Sequence, residues 1–244
     1  MLDQHYMIDR EWLIRVTNIA DLNKTDIVLE IGGGTGNLTA YLRKIAKQVY
    51  VIEKDKELIK PLEDRFKNFK NVAVICGDAT ITEFPEFTKC VSNLPYTICE
   101  PLMWRLTRTT FELAVFVVPK KFVEKLKGDK PSRLHLLIQN FFSLEIFENI
   151  PPAAFDPQPR TMSTIIRLRP KKEGNFFLRE FLSQFDKKTK NALRWMLVQS
   201  GMTKKEATEQ IALKIRPAIQ DKRISSLSLE EILEIVKKFS EQEK

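Results

Sequence analysis

Residues 92–101 read SNLPYTICEP and set an amide (Asn93), a proline (Pro95) and an aromatic ring (Tyr96) side by side. A turn explains such a stretch, and so does a pocket for a flat, nitrogen-bearing ring. Three earlier stretches bear on the choice. LEIGGGTGNLT places Glu30, Gly32, Gly34 and Gly36 in E-x-G-x-G-x-G spacing, VIEKD presents Glu53, and CGDA presents Asp78. Glycine accepts positive φ and lets a ligand lie on bare backbone, while a following helix N-terminus aims amides at it. Glu53 can accept both hydroxyls of a ribose. Asp78 can accept from an adenine amino group, with the Ala79 amide beside it. Alone, the glycines fit a tight turn or a nicotinamide nucleotide site, and each acid fits a solvated strand end. Together they describe a nucleoside site at successive strand ends. A dinucleotide has no obvious use for Asp78 and Asn-Leu-Pro-Tyr, whereas S-adenosylmethionine uses every one of these groups.

The chemistry of residues 93–96 follows from the weakness of an adenine amine as a nucleophile, since its lone pair is delocalised into the ring. Two acceptors placed for its two N–H bonds favour a pyramidal nitrogen with the lone pair aimed at a methyl group. The Asn93 side-chain carbonyl and the Leu94 backbone carbonyl are such acceptors. Pro95 stiffens the backbone presenting them, and Tyr96 offers a face for the base. This is catalysis by positioning and electrostatics, without a titrating acid or base. The base must first leave its stack.

The elements that position these residues are legible as periodicity. DIVLEI, QVYVIE, VAVIC, KCVSN and FELAVFVVP are short apolar runs alternating with helical patterns such as NLTAYLRKIA and ELIKPLEDRF. That alternation predicts an α/β fold: a Rossmann-like, largely parallel sheet with helices on both faces. IPPAAFDPQPRTMS holds four prolines and is stiff and extended. TIIRLRP reads as a last strand, after which only helical patterns follow. The expected domains are 1–173, carrying the sheet, and 174–244, small and all-α.

Lys and Arg exceed Asp and Glu by 40 to 32, a net of +8, and residues 171–244 hold 16 basic against 11 acidic residues. A polyanionic partner fits that excess. Lys187, Lys188, Lys190 and Arg194 share a helix with Trp195, and Lys120, Lys121, Lys130 and Arg133 border a polar loop. They read as solvated faces or as phosphate contacts forming two banks of an RNA groove. His135 sits in an apolar helix and reads as structural. The three cysteines lack metal-ligand spacing, so no metal site is expected, and they read as reduced thiols of a cytoplasmic protein. No signal peptide or membrane span is read, and the chain is expected to be a monomer.

At this point the chain resembles the KsgA-type adenine dimethyltransferases of small-subunit ribosomal RNA. DQHYMID, EIGGGTGNLT, VIEKD, GDA, NLPYTICEPL, SRLHLLIQ, FDPQPRTMSTIIRLRP, KTKNAL and RISSLSLEE carry the resemblance over nearly the whole chain. It implies S-adenosylmethionine as donor, small-subunit RNA or its precursor particle as partner, and transfer to N6 of two neighbouring adenines. By position it implies donor contacts from His5, Met7, Gly32, Glu53, Asp78 and Asn93, beside the Gly34 and Ala79 read above. It also implies the Phe155 ring opposite Tyr96, and a roomy pocket that admits an already methylated amine. Asp3-Gln4-His5-Tyr6-Met7 stands where the family usually has Gly-Gln-Asn-Phe-Leu. The alternatives are a large-subunit enzyme of the macrolide-resistance type, a non-catalytic nucleic-acid-binding factor on the same fold, and a DNA adenine methylase.

Overall fold

The computed structural model describes residues 4–127, 132–172 and 174–240, so Asp3 and Lys130 lie outside the described residues. The chain divides into two compact units, one built from residues 4–127 and 142–171, the other from 132–141, 172 and 174–240. The helix Arg133–Phe141 therefore groups with the C-terminal helices, unlike the two contiguous ranges read from the sequence.

In the first unit the elements run β1 (Tyr6–Met7), α1 (Arg10–Ile19), β2 (Ile27–Ile31), α2 (Asn37–Ile45), β3 (Gln48–Glu53), α3 (Lys56–Phe66), β4 (Val72–Cys76) and β5 (Lys89–Asn93). They continue through α4 (Cys99–Leu106), β6 (Leu113–Pro119), α5 (Lys120–Lys127), then, beyond the helix α6 (Arg133–Phe141), β7 (Phe142–Ile150), β8 (Phe155–Asp156) and β9 (Ser163–Pro170). Seven strands form one sheet in the order β4-β3-β2-β5-β6-β9-β7. The first five are parallel, and β9 and β7 join antiparallel. All seven residues of β6 are buried, as a strand covered on both faces requires. The strand order turns between β2 and β5, which pair Val28 with Lys89 and Leu29 with Cys90. Their carboxyl ends part there, leaving a crevice where ligands of such sheets bind.

A separate two-stranded ribbon pairs β1 with β8, matching Tyr6 to Asp156 and Met7 to Phe155. It brings the opening segment back towards that crevice. Strand β7 was not read from the sequence, because its half-exposed pattern breaks at a bulge between Ile146 and Asn149.

The second unit holds α6 with α7 (Phe176–Ser183), α8 (Thr189–Gln199), α9 (Lys204–Lys214), α10 (Pro217–Gln220) and α11 (Leu229–Ser240). Phe177 stacks on both Phe181 and Phe239 at its centre, with ring centroids 6.1 and 5.6 Å apart. A Thr203–Glu206 capping box starts α9. Among the described residues, no helix is long and apolar enough to cross a membrane.

Candidate active site

The glycine turn leaves β2 with Gly32, Gly34 and Gly36 at φ of +74°, +54° and +81°, the left-handed region where a side chain is strained. Space enforces glycine as well. A Cβ on Gly34 would lie 2.7 Å from the Tyr6 ring, and one on Gly32 would lie 3.2 Å from Pro95. The turn is therefore pressed between the opening segment and the Asn-Leu-Pro-Tyr corner. Helix α2 starts behind it without a side-chain cap, leaving N–H groups for a ligand.

Glu53, at the end of β3, is 5% exposed. Its two oxygens accept from the Gly34 and Asp55 amides, each at 2.8 Å. The carboxylate is thus fixed in direction while each oxygen keeps a lone pair for a ribose hydroxyl. Asp78, beyond β4, accepts from Lys54 Nζ at 2.7 Å and from the Thr80 amide and hydroxyl at 2.9 and 2.7 Å. The Lys54 ammonium, with Thr80, pulls its carboxyl down to about 2. A cavity of about 370 Å³ runs along this edge and is lined by Gly32, Glu53, Lys54, Asp78, Ala79 and Ile98 among others. Its size, its carboxylates and its bare glycine wall fit an adenosine moiety. Behind the turn, Glu30 is 1% exposed and receives the Thr39 hydroxyl at 2.6 Å. Burial, reinforced by Glu53, pushes its carboxyl up to about 8, so it is mainly protonated at neutral pH.

Asn93 closes β5. Its Nδ2 donates to the His5 main-chain carbonyl at 2.8 Å, which fixes which way the amide points. Its Oδ1 accepts no hydrogen bond among the described residues and stands in the wall of a second, smaller cleft. Leu94 is 2% exposed, so its side chain anchors the corner and only its backbone is offered to the site. The Tyr96 hydroxyl shares a hydrogen bond of 3.0 Å with Ser163 Oγ, and Ser163 is fully buried at the start of β9. That bond anchors the Tyr96 ring from a strand 67 residues away in sequence.

Phe155 is 2% exposed and belongs to the same buried cluster as Met7, Leu38 and Val117, and the β1–β8 ribbon pairs it with Met7. The cleft lined by Asn93 and Tyr96 measures about 50 Å³. The His5 ring stands 5.7 Å from that of Tyr96 and holds Pro157 O through Nδ1 at 2.7 Å, so His5 occupies this side of the cleft.

His5 and Met7 use their carbonyls to hold side chains, the first taking Asn93 and the second Asn37 Nδ2 at 3.0 Å. Gln4, Asn37, Lys54, Thr80 and Ser163 also build the site and were not singled out from the sequence. Gln4, Lys54 and Thr80 carried a local signal, lying next to His5, Glu53 and Ala79. Away from these strand ends, Lys120 and Lys121 are exposed at the start of α5. Lys188 and Lys190 both pair with Asp221, at 3.1 and 2.9 Å, and Lys187 lies 5.9 Å from the Trp195 ring. Arg194 holds Asn191, while the Arg133 guanidinium lies 5.8 Å from the Phe185 ring.

The family described as ribosomal RNA adenine dimethylase matches residues 1–241. A probable ribosomal RNA small subunit methyltransferase A of Methanosarcina mazei is 35% identical over 243 residues, 96% of this chain and 90% of that protein. Its counterpart in Methanothermobacter thermautotrophicus is 36% identical over 245 residues, covering 96% and 88%. Among solved structures, a dimethyladenosine transferase from Plasmodium falciparum superposes with a TM-score of 0.71 at 27% identity, covering 98% of each chain. The 23S rRNA methyltransferase ErmE, at 24% identity and a TM-score of 0.65 over 96% of this chain and 98% of its own, shares the fold.

Proposed function

The chain belongs to the ribosomal RNA adenine dimethylase family, whose methyl donor is S-adenosylmethionine, and on that premise we propose that it dimethylates N6 of adenine in small-subunit ribosomal RNA. Relatives that carry the small-subunit name match 96% of the chain. The observation supporting the chemistry is the Asn93 amide, turned by the His5 carbonyl so that Oδ1 is left to the cleft.

Bound in the larger cavity, the donor supplies an electrophilic methyl group. The glycine turn would hold its methionine end on bare backbone, Glu53 its ribose hydroxyls, and Asp78 with the Ala79 amide its adenine. Asn93 Oδ1 and the Leu94 carbonyl accept the N–H bonds of the target amine and direct its lone pair at the place of the methyl carbon. The donor would give up its methyl group with the C–S pair left on sulfur, and the proton shed by the amine would pass to water. No protein group has to titrate, because the acceptors are neutral and pre-placed. For the second transfer one acceptor suffices, since the monomethylated amine has one N–H left. Tyr96, braced by Ser163, presents its ring to the base. Lys120, Lys121, Arg133, Lys187, Lys188, Lys190 and Arg194 contact RNA phosphates without reading sequence.

The test offers the purified protein labelled S-adenosylmethionine with unmodified small subunits, large subunits and naked small-subunit RNA. Label in adenine N6 of small-subunit RNA is expected. Label in large-subunit RNA instead would overturn the assignment and favour the macrolide-resistance type.

A further inference from the structure

The larger donor cavity and the small cleft at Asn93 share a boundary, and the Gln4 side chain lies on it, lining both. Its amide is held at each end. Oε1 accepts the Tyr6 hydroxyl at 2.8 Å, and Nε2 donates to Asp55 Oδ2 at 3.3 Å. Asp55 also caps α3 by accepting the Glu57 amide, and its own N–H donates to Glu53. A continuous line of hydrogen bonds therefore runs from the Tyr6 phenol through Gln4 and Asp55 to the carboxylate read as the ribose acceptor. The phenol has a fixed origin, because the Tyr6 ring lies directly against Gly34. Burial, and then the nearby Glu53 and Asp55, raise the phenol above its ordinary value, so it stays a proton donor.

We propose that Gln4, latched by the Tyr6 hydroxyl, is a positioning residue that sets the wall between bound donor and target base. The inference rests on the donor-site reading of the strand ends. A glutamine without the latch has several rotamers, some turned out of both cavities. With the latch, one rotamer faces the ribose end of the donor and carries its amide against the cleft. A phenylalanine at position 6 keeps the packing on Gly34 and loses only the hydroxyl. The role thus lives in one oxygen atom.

The experiment compares Tyr6→Phe, Gln4→Ala and the double variant with the unaltered chain. S-adenosylhomocysteine affinity is measured by titration calorimetry, and donor KM and kcat are measured on unmodified small subunits. Each single change is expected to weaken the nucleoside roughly 3- to 10-fold, the weight of one hydrogen bond. Donor KM should rise by a similar factor for Tyr6→Phe with kcat held within about twofold. The double variant should bind no worse than Gln4→Ala alone, because the hydroxyl acts only through that amide. Wild-type affinity in Tyr6→Phe, or losses that multiply in the double variant, would overturn the latch. Unaltered protein that binds no nucleoside would instead overturn the donor-site reading, a different result.

Discussion

Strands β2 and β5 are neighbours in the sheet, yet their two ends are built on opposite plans. At the amino ends Lys89 pairs with Asp26 at 3.0 Å, the two side chains 9% and 4% exposed. Asp26 also takes the Asn23 amide and the Thr88 hydroxyl, and Lys89 holds the Asp21 carbonyl. Every strong polar group there is satisfied by another part of the chain. At the carboxyl ends the nearby Glu53 adds to the cost of charging the buried Glu30, and Asn93 leaves an acceptor towards a cleft. Polar groups that satisfy one another hold the fold together. Polar groups held in place with capacity left over are what a ligand can use.

Substitutions at the two ends should therefore separate stability from activity. Lys89→Met leaves Asp26 buried without its cation and should cost about 3–5 kcal/mol of stability. Chemical denaturation reads that loss, while activity per folded molecule at low temperature stays near wild type. Asn93→Ala should do the reverse. Stability changes little, and kcat falls about 10²- to 10³-fold, the usual cost of one pre-placed electrostatic contact. Equal losses of both properties in both variants would erase the distinction between the ends.

A smaller effect sharpens the comparison through pH. Glu30 is raised in the folded protein to about 8, from 4.5 when unfolded. Between those values the unfolded chain has lost the proton that the folded chain keeps, so stability falls as pH rises, by up to about 1.4 kcal/mol per pH unit. Glu30→Gln should flatten that slope and leave the variant more stable than wild type at pH 8, by more than about 1 kcal/mol. Parallel unfolding curves from pH 5 to 8 for both proteins would remove the buried neutral acid from the account. The smallest effects are expected in the helical unit. Lys188→Gln or Lys190→Gln should weaken RNA binding only about 2- to 5-fold and lower the salt dependence by under one ion each. A loss above a hundredfold from either would mean a specific contact in place of a distributed one.

How much of this was legible follows the range over which each feature acts. β2 to β6 were readable as short runs rich in apolar residues, most plainly β6, which is buried along its whole length. The strand-end acids were readable because they follow those runs directly. The hydrogen bond from Asn93 to His5 spans 88 residues and that from Tyr96 to Ser163 spans 67, and no spacing rule encodes either. The burial of Phe155 was hidden for the same reason. A proline-rich segment announces stiffness, but not the pairing with Met7. The helix Arg133–Phe141 gave no warning that it packs with helices that follow residue 172.

The central claim is that the strand ends hold an adenine amine by neutral acceptors and methylate it twice. Its most direct test is a time course of nucleoside products from unmodified small subunits at saturating S-adenosylmethionine. The account predicts N6-methyladenosine rising and then giving way to N6,N6-dimethyladenosine, with neither formed by Asn93→Ala at a comparable rate. A reaction that stops at the monomethyl product, or no transfer from folded protein that binds the donor, would contradict it.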